Sequence, residues 1–243
     1  SFYAIYHGYE GLNNIAKNIV ILRTYLEQGL HKLGFVLNQG IRFDSVDIYS
    51  PNSVDIHKSA ITNGFNFRIL PLGSDIDNAT GFGISLDELS DVDEIHKILN
   101  LIAKAMDKKI DLEEIPKNFH FNLEGIPLRE EKFIQQNVFQ DYRSETDLMR
   151  YIFSLAEKDF SLVDGMIPLG SCTMKLNAAA ELNPISWKKF SSIHPFVPES
   201  QITGYEKIIS DLEYWISQIV GLEAVSFQPN AGSQGEFAGL MAI

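Results

Sequence analysis

The stretch Val225-Ser-Phe-Gln-Pro-Asn-Ala-Gly-Ser-Gln-Gly-Glu236 sets the fold class. Ala224–Gln228 is a short run that reads as a strand. Pro229–Gly235 supplies the turn, and the residues after it read as a helix that continues to the last residue. A strand, a glycine-rich turn and a helix in that order make an α/β unit. Such a turn leaves backbone N–H groups without intrahelical acceptors at the positive end of the helix dipole, which is a physical anion site. Ala231, Gly232 and Ser233 present the amides, Asn230 completes the turn, and Ser233 adds a hydroxyl. Small side chains here let a phosphate approach the backbone. Many tight strand-to-helix turns bind nothing, so the pattern alone does not name a ligand.

Upstream of this turn, Thr203–Gly221 reads as the clearest helix. Ile208, Ile209, Leu212, Trp215, Ile216, Ile219 and Val220 form its apolar face. Thr203 and Glu206 fit a T-x-x-E capping box, and Gly221 ends the helix. Before it lies a Gly/Pro-punctuated stretch, 166–198, too apolar and too long for a casual loop. A helix is expected at Glu145–Glu157 with Ser144 as its cap. Residues 107–140 hold Pro116, Pro127 and scattered charge, and read as a connector over the surface.

The first hundred residues form a separate α/β pattern. Leu12, Ile15, Ile19, Leu22, Leu26, Leu30 and Leu33 recur at helical spacing over 10–33, and Gly34 is the expected stop. Strands are expected at Phe35–Asn38, Ile41–Tyr49, Phe65–Leu70 and Gly81–Leu86. Helices are expected at 53–63, ended by Gly64, and at Asp91–Met106, capped by Ser90 or Asp91 with Asp93 and Glu94 in its first turn.

Composition narrows the function classes. The chain has 243 residues, 45% of them apolar and 21% charged, which is enough to build a core. A net charge of −12 argues against a nucleic-acid surface, because phosphate backbones need clustered Lys and Arg. One cysteine, Cys172, excludes an internal disulfide framework and fits a reducing compartment. No apolar run is long enough to span a membrane, and no signal peptide is evident. The chain opens Ser-Phe-Tyr and closes on Leu-Met-Ala-Ile, both apolar, so the ends read as cuts within a longer polypeptide.

A second reactive stretch is Gly170-Ser-Cys-Thr-Met-Lys-Leu-Asn177. Lys175 is nucleophilic only if desolvated, and the plainer reading pairs it with a carboxylate or solvent. Cys172 reads as a small buried hydrophobe rather than a redox thiol. Ser171 and Thr173 either bond their own loop or face a ligand. The six histidines show no metal-like spacing. His194, in Ile-His-Pro-Phe, is the one to watch, and a structural hydrogen bond is its expected role.

Several ordered segments then point to a family. Met166-Ile-Pro-Leu-Gly-Ser-Cys-Thr-Met-Lys-Leu-Asn-Ala-Ala-Ala-Glu181 resembles, nearly letter for letter, the signature of glycine decarboxylase, the P-protein of the glycine cleavage system. Pro184-Ile-Ser-Trp187, His194-Pro-Phe-Val-Pro198, Gly204-Tyr205 and Gln228–Glu236 are similar in the same order. Tyr6-His-Gly-Tyr-Glu-Gly-Leu12 and Asp77-Asn-Ala-Thr-Gly-Phe-Gly-Ile-Ser-Leu-Asp-Glu88 resemble the end of that family's first half. One departure stands out: the family often has Ser-Gly-Ala where this chain has Ala231-Gly232-Ser233. The backbone donors survive that change, while the hydroxyl moves by two positions.

The resemblance implies an α/β chain of the pyridoxal-phosphate-dependent transferase fold type I, aminotransferase-like. The chain would be incomplete, holding the small α/β domain of the first half and the start of the second half's large domain. On that reading 1–107 is the small domain, 108–140 the connector, and 141–243 the opening of the cofactor-binding domain. The implied cofactor is pyridoxal 5'-phosphate, cradled by Asn230, Ala231, Gly232 and Ser233. Ser171, Thr173 and Asn177 line the substrate site. The Schiff-base lysine, in a His-Lys-Thr context that this sequence lacks, is expected beyond Ile243, so no catalytic residue and no metal ligand is assigned. The implied reaction is decarboxylation of glycine with transfer of the aminomethyl group to the lipoyl arm of H-protein. The assembly would be a P-protein dimer or a heterotetramer of split halves, cytoplasmic in a bacterium and in the mitochondrial matrix of a eukaryote. Two other readings stay open: a non-catalytic structural or interface module, and a different fold-type-I enzyme.

Overall fold

The structure is a computed structural model that describes residues 1–37, 40, 42–115, 129–161, 164–165 and 178–243. The chain divides into two compact units, 1–174 and 175–243. Each is described by itself.

The first unit is a mixed α/β assembly around a small sheet. Helix α1 spans Phe2–Lys32, strand β1 Ser45–Tyr49, helix α2 Ser53–Thr62, strand β2 Arg68–Leu70, strand β3 Gly81–Ser85 and helix α3 Val92–Ala105. The strands form an antiparallel sheet in the order β1-β3-β2. Side chains alternate across it, as the two-residue period of a strand requires. Val46 pairs with Ile84 and Ile48 with Phe82, and all four are buried. The helices α1, α2 and α3 complete the core with Tyr25, Leu26, Leu30, Ile56, Ile95, Leu99 and Ile102. Burying each such large apolar side chain contributes about 1.5–3 kcal/mol. Every buried apolar residue among those described lies between Ile5 and Ile115.

Local chemistry sets the boundaries. α1 ends in a Schellman motif: the Phe35 amide donates to Leu30 O at 3.0 Å and the Gly34 amide to His31 O at 2.9 Å. Gly34 takes φ +92°, the left-handed conformation that glycine adopts without a Cβ clash. The same bonds close α2, where Phe65 N–H reaches Ala60 O and Gly64 N–H reaches Ile61 O, with Gly64 at φ +82°. At the start of α3 the Asp91 carboxylate accepts the Glu94 amide at 2.7 Å, so Asp91 rather than Ser90 is the cap. Ser90 instead joins the Asp87 turn, donating through Oγ and accepting from the Asp87 amide.

The expected elements need four corrections here. α1 starts at Phe2, not residue 10, and is interrupted at Gly8 (φ 60°, ψ −173°). The polar, aromatic opening hides this from an apolar-period reading. Phe35–Leu37 is not a strand: it leaves the Schellman turn and plants Phe35 and Leu37 in the core, while Asn38 lies outside the described residues. The strand expected at Ile41–Tyr49 begins only at Ser45, and that at Phe65–Leu70 only at Arg68, where pairing to β3 begins. Before β2 the aromatics Phe65 and Phe67 serve packing, not the ladder, while Phe43 before β1 is exposed.

Residues 129–161 hold α4 (Val138–Asp141) and α5 (Glu145–Ala156). Ser144 caps α5 as expected, its Oγ accepting the Asp147 amide at 3.1 Å.

The second unit contains α6 (Ala179–Leu182), α7 (Lys188–Ser191), α8 (Thr203–Val220) and α9 (Gly232–Ala242), with 3-10 turns at Asn183–Ser186 and Glu199–Gln201. Tyr205 ties α8 to α7 by donating its hydroxyl to Phe190 O at 2.9 Å, with the two rings edge to face. α8 ends at Gly221, φ +72°, as its sequence predicts. Its start differs. Ile202 is the cap and Thr203 is already helical, with no side-chain capping bond. The 3-10 turn runs directly into the helix, the Glu206 amide donating to Ile202 O, so the capping box does not form. The strand expected at Ala224–Gln228 is also absent. A strand needs a partner for its ladder, and the described residues of this unit contain no second strand.

α1 and α3 approach closely at Gly29. A Cβ there would sit 2.6 Å from Leu99 Cδ2, and Leu99 is fully buried. Gly29→Ala is therefore expected to destabilise the first unit by about 1–3 kcal/mol, as overpacking does. A lowered urea midpoint checks this; an unchanged or raised one would mean that the helices can separate without loss.

Candidate functional site

The best candidate is the N-terminus of α9. Ala231 is its cap, extended at φ −156° and ψ 173°, and no side chain caps the helix. The first helical bond runs from Gly235 N–H to Ala231 O at 3.0 Å. The amides of Gly232, Ser233 and Gln234 thus precede the ladder and project from the positive end of an eleven-residue helix. Nothing lies within 4 Å of where a Gly232 Cβ would be, and Asn230–Ser233 is exposed. The first turn of α9 holds no acidic residue. Open donors, small side chains and no competing carboxylate suit an anion such as a phosphate.

The four turn residues expected from the sequence, Asn230, Ala231, Gly232 and Ser233, therefore sit together at one helix mouth. Ser171, Thr173 and Asn177 lie outside the described residues, as do Cys172 and Lys175. His194 has the structural bond expected of it: its Nδ1 accepts the Phe196 amide at 3.0 Å. Among the described residues no three His, Cys, Asp or Glu side chains gather closely enough to hold a metal ion, and no helix is long and apolar enough to cross a membrane.

The first unit holds polar features that periodicity did not flag. His57 is buried on α2 and bonds Gly81 O at 3.1 Å through Nε2, which donates to that carbonyl. Tyr25 Oη and His96 Nε2 are 2.6 Å apart, linking α1 to α3. Burial pushes the Tyr25 hydroxyl above the ordinary tyrosine value. On the far face of the sheet Arg68 reaches across β3 to pair with Asp47. That bridge needs Gly83 beneath it, since a Cβ there would lie 2.7 Å from Asp47 Oδ1 and 2.8 Å from Arg68 Nε.

The Tyr6-His7-Gly8-Tyr9-Glu10 segment is a docking point. A Cβ on Gly8 would meet Phe139 O at 2.7 Å. Arg143 pairs with Glu10 at 2.9 Å, and the Tyr9 and Phe133 rings meet edge to face at 4.9 Å. The chain after residue 128 thus folds back on the start of α1.

Residues 1–102 match the family model described as the glycine cleavage system P-protein. The whole chain is 53% identical to the glycine dehydrogenase (decarboxylating) of Prochlorococcus marinus strain NATL2A, 49% to that of Parasynechococcus marenigrum and 41% to that of Vibrio parahaemolyticus. In each case all of this chain aligns with 25% of the relative, so the chain spans about a quarter of the length of the curated relatives it matches.

Gly8→Ala would force a side chain into a position of φ +60° and against Phe139 O. Faster amide hydrogen exchange over 129–143, with the 45–105 core unchanged, is the expected result. Unchanged exchange over 129–143 would show that Gly8 does not hold that contact.

Proposed function

With kinship to the glycine cleavage system P-protein family as premise, we propose that these residues serve a pyridoxal-phosphate-dependent glycine decarboxylase of fold type I. The observation that carries the reading is the uncapped, glycine-lined N-terminus of α9, in a chain that aligns along its whole length with glycine dehydrogenases (decarboxylating). The Gly232, Ser233 and Gln234 amides and the helix dipole hold the cofactor phosphate. Asn230 and Ala231 shape the turn. Bound there, the cofactor supplies an electron sink for loss of CO2 from glycine. Ser171, Thr173 and Asn177 are assigned to the substrate side, and a dry site favours loss of a carboxylate. The aminomethyl group passes to the lipoyl arm of H-protein. The lysine that anchors the cofactor is supplied outside these 243 residues.

Residues 1–107 form the small domain of the first half, 108–140 the connector and 141–243 the opening of the cofactor-binding half. The protein works as a P-protein dimer or a heterotetramer of split halves, and its bacterial relatives favour a cytoplasmic site.

The test uses a polypeptide of the relatives' full length that carries this stretch. Gly232→Asp sets a carboxylate against the phosphate and is expected to weaken cofactor retention about tenfold or more, the scale of 1.4 kcal/mol. Cofactor absorbance after dialysis and release of CO2 from glycine both read it. Retention and turnover equal to the parent would overturn the phosphate assignment.

A further inference from the structure

The first unit contains a cavity of about 360 Å³ between the end of β3, the loop from Asp87 to Ser90, the start of α3 and the Phe65–Phe67 segment. It lies in a different unit from the α9 turn. Its volume falls within the range of small-ligand pockets, about 300–1,000 Å³. Its apolar lining is Phe65 and Leu89, which keep exposed surface, backed by the buried Phe67, Ile84, Leu86 and Ile98. Two ionisable side chains line it, Asp87 and Glu94, and no Lys, Arg or His does.

Those carboxylates are differently engaged. Asp87 Oδ1 accepts from the Leu89 and Ser90 amides at 2.9 and 3.1 Å and from the Ser90 hydroxyl at 3.3 Å, and so shapes the loop. Glu94 contributes its backbone amide to the Asp91 cap, which leaves its side chain out of that bond. Phe65 lines the cavity and is half-buried. An aromatic ring attracts a cation over its face. The positive end of α3 opposes a cation here, but Asp91, Asp93 and Glu94 place three carboxylates at that same end.

We propose that this cavity binds an organic cation: an ammonium head held by Glu94 and Asp87, on a short apolar stem lying against Phe65 and Leu89. An anion is repelled by both carboxylates, and a neutral alkyl group leaves them unanswered. A free alkylamine and a lysine side chain offer the same chemistry, and the size of the mouth decides between them.

The probe is n-hexylammonium, titrated into the 243-residue chain and followed by amide NMR. Saturable shifts are expected at Asn66, Ser85, Ser90 and Ile98. Hexanoate and 1-hexanol, run alongside, are expected to bind at least several-fold more weakly. Glu94→Gln is expected to weaken hexylammonium by about threefold to tenfold, the scale of a partly exposed ion pair. Asp93→Asn, which changes the same helix outside the cavity, is expected to change it little. Acetyl-Gly-Lys-Gly-amide tells the sources apart: shifts at the same amides assign a lysine side chain, and their absence beside a hexylammonium response assigns a free amine. Equal binding of hexanol, equal effects of the Asp93 and Glu94 variants, or shifts confined to other residues would overturn the proposal. So would no saturable response to either amine.

Discussion

Phe82 is the residue on which the described core depends. It lies on the central strand β3, fully buried, with Phe67 stacked on it at 5.7 Å, Phe35 edge-on at 5.9 Å and His57 edge-on at 6.3 Å. These partners come from the residue before β2, the turn after α1 and α2 itself, so one ring joins the sheet to its helices. The glycines on either side of it serve the opposite face. Gly81 lies under Tyr49, and Gly83 lies under the Arg68–Asp47 bridge. The alternation Gly-Phe-Gly thus encodes a sheet with a thick core side and a thin outer side, the outcome of a two-residue period. His57 reinforces it by bonding Gly81 O, the carbonyl next to the ring it touches.

Much of the first unit was legible because its signals are local. Gly34 and Gly64 end helices where the pattern stops, and Asp91 and Ser144 cap where a polar residue precedes an apolar run. The failures share a cause: the deciding partner lies far away in sequence. Gly8 breaks α1 against Phe139, more than a hundred residues on. Phe35 and Phe65 look like strand residues because they are apolar, yet they lead out of helix ends, and only the register of β1 and β2 against β3 shows where the ladder begins. Ala224–Gln228 reads as a strand by composition, but no described neighbour in its unit completes a sheet. Thr203 and Glu206 have the letters of a capping box, and the preceding turn uses their backbone otherwise.

The candidate site was legible to the same degree. A glycine-rich turn before a helix can be read directly, and Asn230–Ser233 do gather at the mouth of α9. The apolar face of α8 was also legible. It remains open, with Ile219 81% and Trp215 56% exposed, and no residue of 178–243 is buried. This contrasts with the closed core of the first unit. The turn offers a phosphate its amides, while an enclosed reaction site needs walls that the described part of this unit does not supply by itself. That division of labour matches a chain that spans a quarter of its relatives' length.

On the proposed function, Asn230–Ser233 hold a cofactor phosphate and no lysine of these 243 residues anchors the cofactor. The most direct measurement incubates the 243-residue chain with pyridoxal phosphate, reduces it with borohydride and maps the adducts by peptide mass, with glycine decarboxylation assayed in parallel. Scattered substoichiometric labelling and no CO2 release are the expected result. One stoichiometric adduct on Lys175, together with turnover of glycine, would contradict it.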